Sequence, residues 1–510
     1  MKSKKLKIND KEKFMQVLKK LECRIPTIDV REKFPIIHTL FGNILYIKLL
    51  YGVVLLLGYV RFTRELLYPY ISLILVYGFL IILYDIFTAK NILKNKFFLL
   101  LFFFWTSFAI SILVNFNPGF YINVRPIAYM FLEFFVIALV PLNMDSQQYK
   151  KNLIIINITL ISVITLISLI SFIVFAMNLS GHYTILGITA FIGNMPPRLW
   201  GITTNPNALG IMSICGVALI IFHLNTFAVK KWPYIVMLII CLSAALLANS
   251  RTAMFSFYVF VFLFVFLTFL IRNYSEKKTI KRHIVICLAV ATMGLFSVLG
   301  LFDRALPLFG YIPGAVSNIQ GTISNIFQTD IEQPPIEITP IRPIETVRPG
   351  ELAATGELTG AGRLTFWTAG LRTFQNNIFF GVGHYRLDYY MSYYNPNPNR
   401  IVSAHIHNIY IQILATYGIF PFVYLVVMLI YFTVLVFRLL KDHLNRMIYS
   451  PILISCLCII ALLLSAGMFE SNILSNARTF TSFLLAHFLG IFLTYVQTDH
   501  LQEFETISHD

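Results

Sequence analysis

Residues 405–437 read HIHNIYIQILATYGIFPFVYLVVMLIYFTVLVF, a run of 33 residues that is almost wholly apolar. As one helix it would be about 50 Å long, against a hydrocarbon core of roughly 30 Å. Gly418 and Pro421 offer the break. The run therefore predicts a helix over 405–417 at the membrane surface and a membrane-spanning helix from 418 onward. That division puts His407 near the level of the lipid headgroups and not at the bilayer centre.

Working outward, comparable apolar runs occur at about 36–60, 68–87, 97–114, 126–142, 152–177, 206–222, 233–249, 252–271, 284–301, 449–469 and 479–497. With 418–437 they predict about twelve transmembrane helices. The composition agrees: 57% of residues are hydrophobic, 13% are charged, and Phe occurs 47 times. The fold class read from the sequence is thus an all-α polytopic membrane protein with one large outer loop. The expected organisation is a basic segment at 1–35, nine spans within 36–301, a loop at 302–417, three spans within 418–497 and a tail at 498–510. The apolar runs begin too late for a cleavable signal peptide.

The net charge of +16 does not indicate a nucleic-acid partner, because the cations sit in short loops between apolar runs, where they set topology. With the N-terminus placed inside, the inner loops carry fifteen Lys and Arg and the short outer segments six. Both termini are then expected in the cytoplasm and the 302–417 loop outside. Eleven of the first 35 residues are Lys or Arg, and 10–22 has the spacing of a short amphipathic helix suited to an anionic membrane surface. The stretch QPPIEITPIRPIETVRP at 333–349 reads as an extended insert. Residues 363–375 return to helical spacing. Of six cysteines only Cys23 lies clearly outside an apolar run, and none falls in the long loop, so no disulfide framework is implied there.

Four groups on the expected outer side could carry chemistry: Arg198, Arg251, Arg363 and His407. Arginine forks match phosphate oxygens, and several at one leaflet would hold a lipid diphosphate and stabilise it as a leaving group. A neutral histidine is suited to taking a proton from an attacking sugar hydroxyl near pH 7. No nucleotide-binding loop is apparent, so the donor must already carry the energy. His405 with His407 resembles a metal pair, but i and i+2 on a helix point apart and no carboxylate or Cys completes a site. No metal or cofactor is expected.

These residues also carry a family resemblance. Arg363 with Trp367, Phe379-Phe380-Gly381-Val382-Gly383-His384, and His407-Asn408 followed by Gly418 resemble the signature region of the O-antigen ligase and Wzy-type polymerase superfamily. Asn249-Ser250-Arg251-Thr252-Ala253 is similar to its Ser-Arg turn, and Arg198 through Asn207 and Gly210 to its Arg…Pro-Asn segment. The resemblance implies a bacterial cytoplasmic-membrane glycosyltransferase of GT-C type. It would pass a glycan from undecaprenyl diphosphate to a glycan, lipid or wall acceptor at the outer face, without a metal. Carried over by position, Arg198, Arg251 and Arg363 hold the diphosphate and His407 is the base. Asn408, His405, Trp367 and Asn207 are candidate supports. Polymerisation of lipid-linked repeat units is the preferred form, ligation of a finished glycan the alternative. From outside the class, a twelve-helix transporter or flippase would require ionisable or broken-helix sites near the bilayer midplane, for which Lys48 and Glu133 are the candidates.

Overall fold

The computed structural model describes residues 34–497 apart from 89, 117–118, 140–145, 186, 196–197, 273–279, 318–362, 397–404, 447–448 and 472–477. The helix expected over 10–22, nearly all of the basic segment, the insert at 333–349 and the tail at 498–510 lie outside the described residues.

The protein is a polytopic helical bundle. The first apolar run forms α1 (Pro35–Gly42) and α2 (Ile44–Leu57), bent by 49° where Asn43 caps α2. Then come α3 (Arg61–Leu67), a 3-10 turn at Tyr68–Tyr70, and α4 (Ile71–Phe87). Next are α5 (Asn91–Lys94), α6 (Phe98–Val114) and α7 (Phe120–Phe131), which runs on through π-helical turns to Ala138. After α8 (Ser146–Ala176) the chain forms β1 (Ser180–Ile185), β2 (Ile188–Met195) and β3 (Arg198–Gly201). Then follow α9 (Pro206–Thr226), α10 (Lys231–Ala248), α11 (Arg251–Arg272) and α12 (Ile280–Phe309). The C-terminal part holds α13 (Arg363–Gln375), α14 (Gly383–Tyr393), α15 (Ile409–Tyr417), α16 (Ile419–Arg446), α17 (Pro451–Gly467) and α18 (Phe480–Gln497).

Among the described residues nine helices are long and apolar enough to cross a membrane, or ten if the bent pair is one span. Twelve were expected. The runs at 97–114 and 449–469 are the apolar helices α6 and α17, each of 17 residues. One departure from an all-helical chain is the three-stranded antiparallel meander β1-β2-β3 within the expected loop at 178–204. Its first hairpin pairs Ser180–Ile185 with Ile188–Gly193, strands that carry aromatic and β-branched residues.

Burial divides the helices into inner and outer ones. α9 and α18 are buried along most of their length, whereas α4 and α16 expose Leu73, Val76 and Phe79, and Val423, Val427 and Ile430. Such apolar faces suit lipid, where every backbone group must be satisfied inside the helix. Without a hydrophobic drive between helices in lipid, close packing needs small residues. Gly216 of α9 shows this: an added Cβ would stand 2.6 Å from Ile164 of α8. Lys48 and Glu133, singled out above, are paired across helices. Lys48 Nζ lies 3.5 Å from His487 Nδ1, and Tyr51 donates to Glu133 Oε1 at 3.2 Å.

α13, α14 and α15 build a second, smaller core from Ala369, Val382, Leu387, Met391, Ile406 and Ala415. It is tied to the bundle where Ser111 Oγ and Asn115 Nδ2 donate to Phe380 O, at 2.6 and 3.0 Å. The break between α15 and α16 falls at Gly418, which has φ 82°. A Cβ there would meet Phe379 O at 2.3 Å, so only glycine fits the turn.

Candidate active site

Chain breaks and caps position the candidate groups. α15 begins at Ile409 and not at 405, because Asn408 is its cap. The Asn408 side-chain oxygen accepts from Tyr410 N at 3.0 Å and Ile411 N at 3.1 Å, and its Nδ2 donates to Met468 O at 3.0 Å. His405 and His407 therefore precede the helix. The expectation that i and i+2 point apart does not apply to them: their ring centroids are 4.2 Å apart. His407 has φ 57°, a left-handed backbone that is rare for a residue with a Cβ.

Both rings meet one carboxylate. Glu470, just beyond α17, brings Oε2 to 3.3 Å from His405 Nε2 and 3.3 Å from His407 Nδ1. Its Oε1 lies 3.5 Å from Arg363 Nη2 and accepts from Asn207 Nδ2 at 3.0 Å. Ser471 Oγ holds the other nitrogen of His405, Nδ1, at 2.6 Å. Burial by itself pushes the Glu470 carboxyl upward, but the hydrogen bonds and charges of the two histidines outweigh it and bring it down to about 2. The carboxylate is thus the ionised hub of the site. With its Nδ1 directed at Glu470, His407 keeps Nε2 without a hydrogen-bond partner among the described residues. Phe366 packs edge-on against the His407 ring at 5.6 Å.

Arg198 on β3 joins the same network. Its Nε donates to Ala248 O at 3.2 Å and its Nη2 to Asn207 Oδ1. Asn205 caps α9 by accepting from Ala208 N, and Pro206 opens the first turn, so Asn207 projects between Arg198 and Glu470. Gly210 lets the next turn come close, since an added Cβ would stand 2.7 Å from Ser250 Cβ. That turn contributes through its small residues: Ser250 Oγ donates to Asn207 Oδ1 at 3.1 Å, and Arg363 Nη2 donates to Thr252 Oγ1 at 3.2 Å. Arg251 itself is exposed at the start of α11, and neither it nor Arg363 is on the cavity lining described next. The structure thus brings Arg198, Arg363 and His407 into one network with Asn207, Asn408 and His405, and leaves Arg251 at its edge. Trp367 stands behind Phe469, with ring centroids 6.4 Å apart, and Phe469 in turn lies under the Arg363 guanidinium at 5.5 Å.

Glu470 was not singled out from the sequence. The available signal was modest: apart from Glu65 it is the one acidic residue in the short segments expected on the outer side. It also alters the metal question. His405, His407 and Glu470 present three donor atoms within 4.8 Å of one another, which supplies the carboxylate that the sequence reading found missing. Arg363 and Asn207 already occupy the second oxygen of that carboxylate.

Arg198, Asn207, His405, His407 and Glu470 line a cavity of about 800 Å³. Arg64, Tyr68 and Arg478 line it too, as do the apolar residues Val54, Leu55, Leu67, Ile71 and Ile211. An ionic wall and an apolar wall in one cavity suit a ligand with a charged head and a hydrocarbon tail.

Residues 235–426 match the family model described as O-antigen ligase. The chain matches none of the curated proteins with which it was compared.

Proposed function

From the premise that the chain belongs to the O-antigen ligase superfamily, its family domain lying at 235–426, we propose that it moves a glycan from undecaprenyl diphosphate onto a sugar hydroxyl, joining lipid-linked repeat units into a surface polysaccharide. Membership carries the general activity, ligase- or polymerase-type transfer between a lipid-linked donor and a glycan acceptor at the membrane. The donor, the polymerising mode, the bacterial cytoplasmic membrane, the cytoplasmic termini and the outer-face site belong to the proposal.

The observation that carries it is Glu470 held between two histidines and an arginine, with His407 on the cavity wall. A carboxylate on Nδ1 fixes the tautomer in which that nitrogen keeps the proton and Nε2 is the base. His407 Nε2 then takes the proton of the acceptor hydroxyl as its oxygen bonds to the anomeric carbon. The bond from that carbon to the diphosphate oxygen breaks, and the diphosphate leaves with the electron pair. Arg198 and Arg363 stabilise its charge, and Glu470 stabilises the imidazolium. Arg251, at the edge, has a lesser part. No metal is required, because Arg363 supplies the positive charge beside Glu470.

Incubation of the purified protein with a defined undecaprenyl-diphosphate oligosaccharide tests this reading. A ladder of lengthened lipid-linked products supports polymerisation. A single transfer to an added acceptor makes the enzyme a ligase. No transfer, with the lipid moved across a vesicle membrane instead, would make it a flippase. Against that last outcome, Lys48 and Glu133 are buried in interhelical pairs and neither lines the cavity.

A further inference from the structure

A second cluster of cations stands round Tyr68, in the turn between α3 and α4. Arg478 lies over the Tyr68 ring, its Cζ 3.3 Å from the centroid. Arg64 and Arg125 approach the same ring at 5.7 and 5.8 Å, and Arg125 Nη2 donates to the Tyr68 hydroxyl at 3.3 Å. Three guanidinium groups round one ring repel one another, and a tyrosine face offsets only part of that.

No carboxylate among the described residues answers them. Glu470 is the acidic residue on the cavity lining, and both its oxygens are engaged by Arg363, Asn207 and the two histidines. Glu65, next to Arg64 in sequence, pairs with Arg61 at 4.0 Å. Arg478 is half-buried, and its Nη2 is shut off from solvent with no hydrogen-bond partner among the described residues. A partly buried guanidinium with an unused donor, beside two more cations, is a half-built anion site.

The surroundings indicate the kind of anion. Arg64, Tyr68, Arg478 and Thr479 share the cavity with His407, and Leu67 and Ile71 of the same helical stretch continue its apolar wall beside them. We propose that Arg64 and Arg478 on the cavity lining, with Arg125 off that lining and bonded to the Tyr68 hydroxyl, form a subsite for the phosphate groups of a prenyl-linked substrate, separate from the Glu470 network. The subsite rests on the reading that this cavity takes a prenyl diphosphate, and it adds residues to it. Two substrates of a polymerase carry such a group, the glycan donor and the lipid-linked acceptor.

Binding of farnesyl diphosphate to the purified full-length protein in neutral-lipid nanodiscs provides the test, with farnesol as the uncharged control. The expected result is binding of the diphosphate that weakens about tenfold in R478Q, the size of one lost charge-assisted hydrogen bond. R64Q should weaken it less, and R478K should recover part of it. Farnesol binding should stay unchanged in all of these. H407Q should keep diphosphate binding and lose transfer. Wild-type binding in both folded R478Q and folded R64Q overturns the subsite and leaves the proposed reaction standing. A wild-type protein that binds no diphosphate overturns both. Displacement by an equal concentration of phosphatidylglycerol would make the cluster an ordinary headgroup contact and also overturn it. Should R478Q fail to fold, R64Q and Y68F, which removes the hydroxyl but keeps the ring, decide by the same readout. Transfer to a soluble glycan acceptor then identifies the source: a raised KM for the donor in R478Q assigns the subsite to the donor, and a loss confined to a lipid-linked acceptor assigns it to the acceptor.

Discussion

Two groups of cations stand beside one cavity, each with members on its lining, and are treated oppositely by the fold. Around Glu470, Arg363 and two histidines share a single ionised carboxylate, and Arg198 reaches it through Asn207. Around Tyr68, among the described residues, three arginines share only an aromatic ring and its hydroxyl. The first group has a counter-charge in place before any ligand arrives, so its geometry is fixed and it can orient a base. The second remains unbalanced until an anion arrives. Preorganised charge suits chemistry, and unbalanced charge suits capture.

The sharpest way to break this comparison is at the base. H407A should lower glycan transfer by about 10²–10⁴-fold with expression and folding intact, as expected for a lost general base. A normal rate in a purified assay would remove His407 from the mechanism. Next in size is E470A, which removes the carboxylate beside Arg363 in a nearly buried setting. Breaking such a pair costs about 3–5 kcal/mol, so the melting temperature should fall together with the rate. An unchanged melting temperature would show that the carboxylate is not the hub. R363K should follow, since a point charge cannot replace the fork, with R251K clearly milder. Equal losses in the two would return Arg251 to the centre of the site.

The pH response of stability is smaller. The Glu470 carboxyl is held at about 2, against an ordinary value of 4.5. Its contribution is therefore fully present above about pH 4.5 and is lost as pH falls toward 2. Thermal melting followed from pH 7 downward should show a drop in that window which E470Q lacks. The smallest expected effect is none: a chelator should leave transfer unchanged. Loss of activity restored by a divalent ion would turn His405, His407 and Glu470 into metal ligands.

The sequence was sufficient for the helical class because apolar run length is a local property. A stretch such as 252–271 declares itself wherever it packs, and it is helical in α11. The break at Gly418 was legible for a similar reason, since a run of 33 residues exceeds the bilayer. The small sheet at 180–201 was not legible, because its short strands lay inside what read as a polar loop.

The site divides in the same way. Arg198, Arg363 and His407 could be picked out by residue type and by their place at the ends of apolar runs. Their shared partner could not, because Glu470 lies 63 residues from His407 and 263 from Asn207 along the chain. Nor could the gathering of Arg64, Arg125 and Arg478, which come from three separate parts of the sequence. Sequence by itself determined which charges sit at the ends of helices. Only the tertiary structure decided which of them share a counter-charge and which do not, because pairing depends on distances of a few ångströms between segments that the chain order leaves far apart.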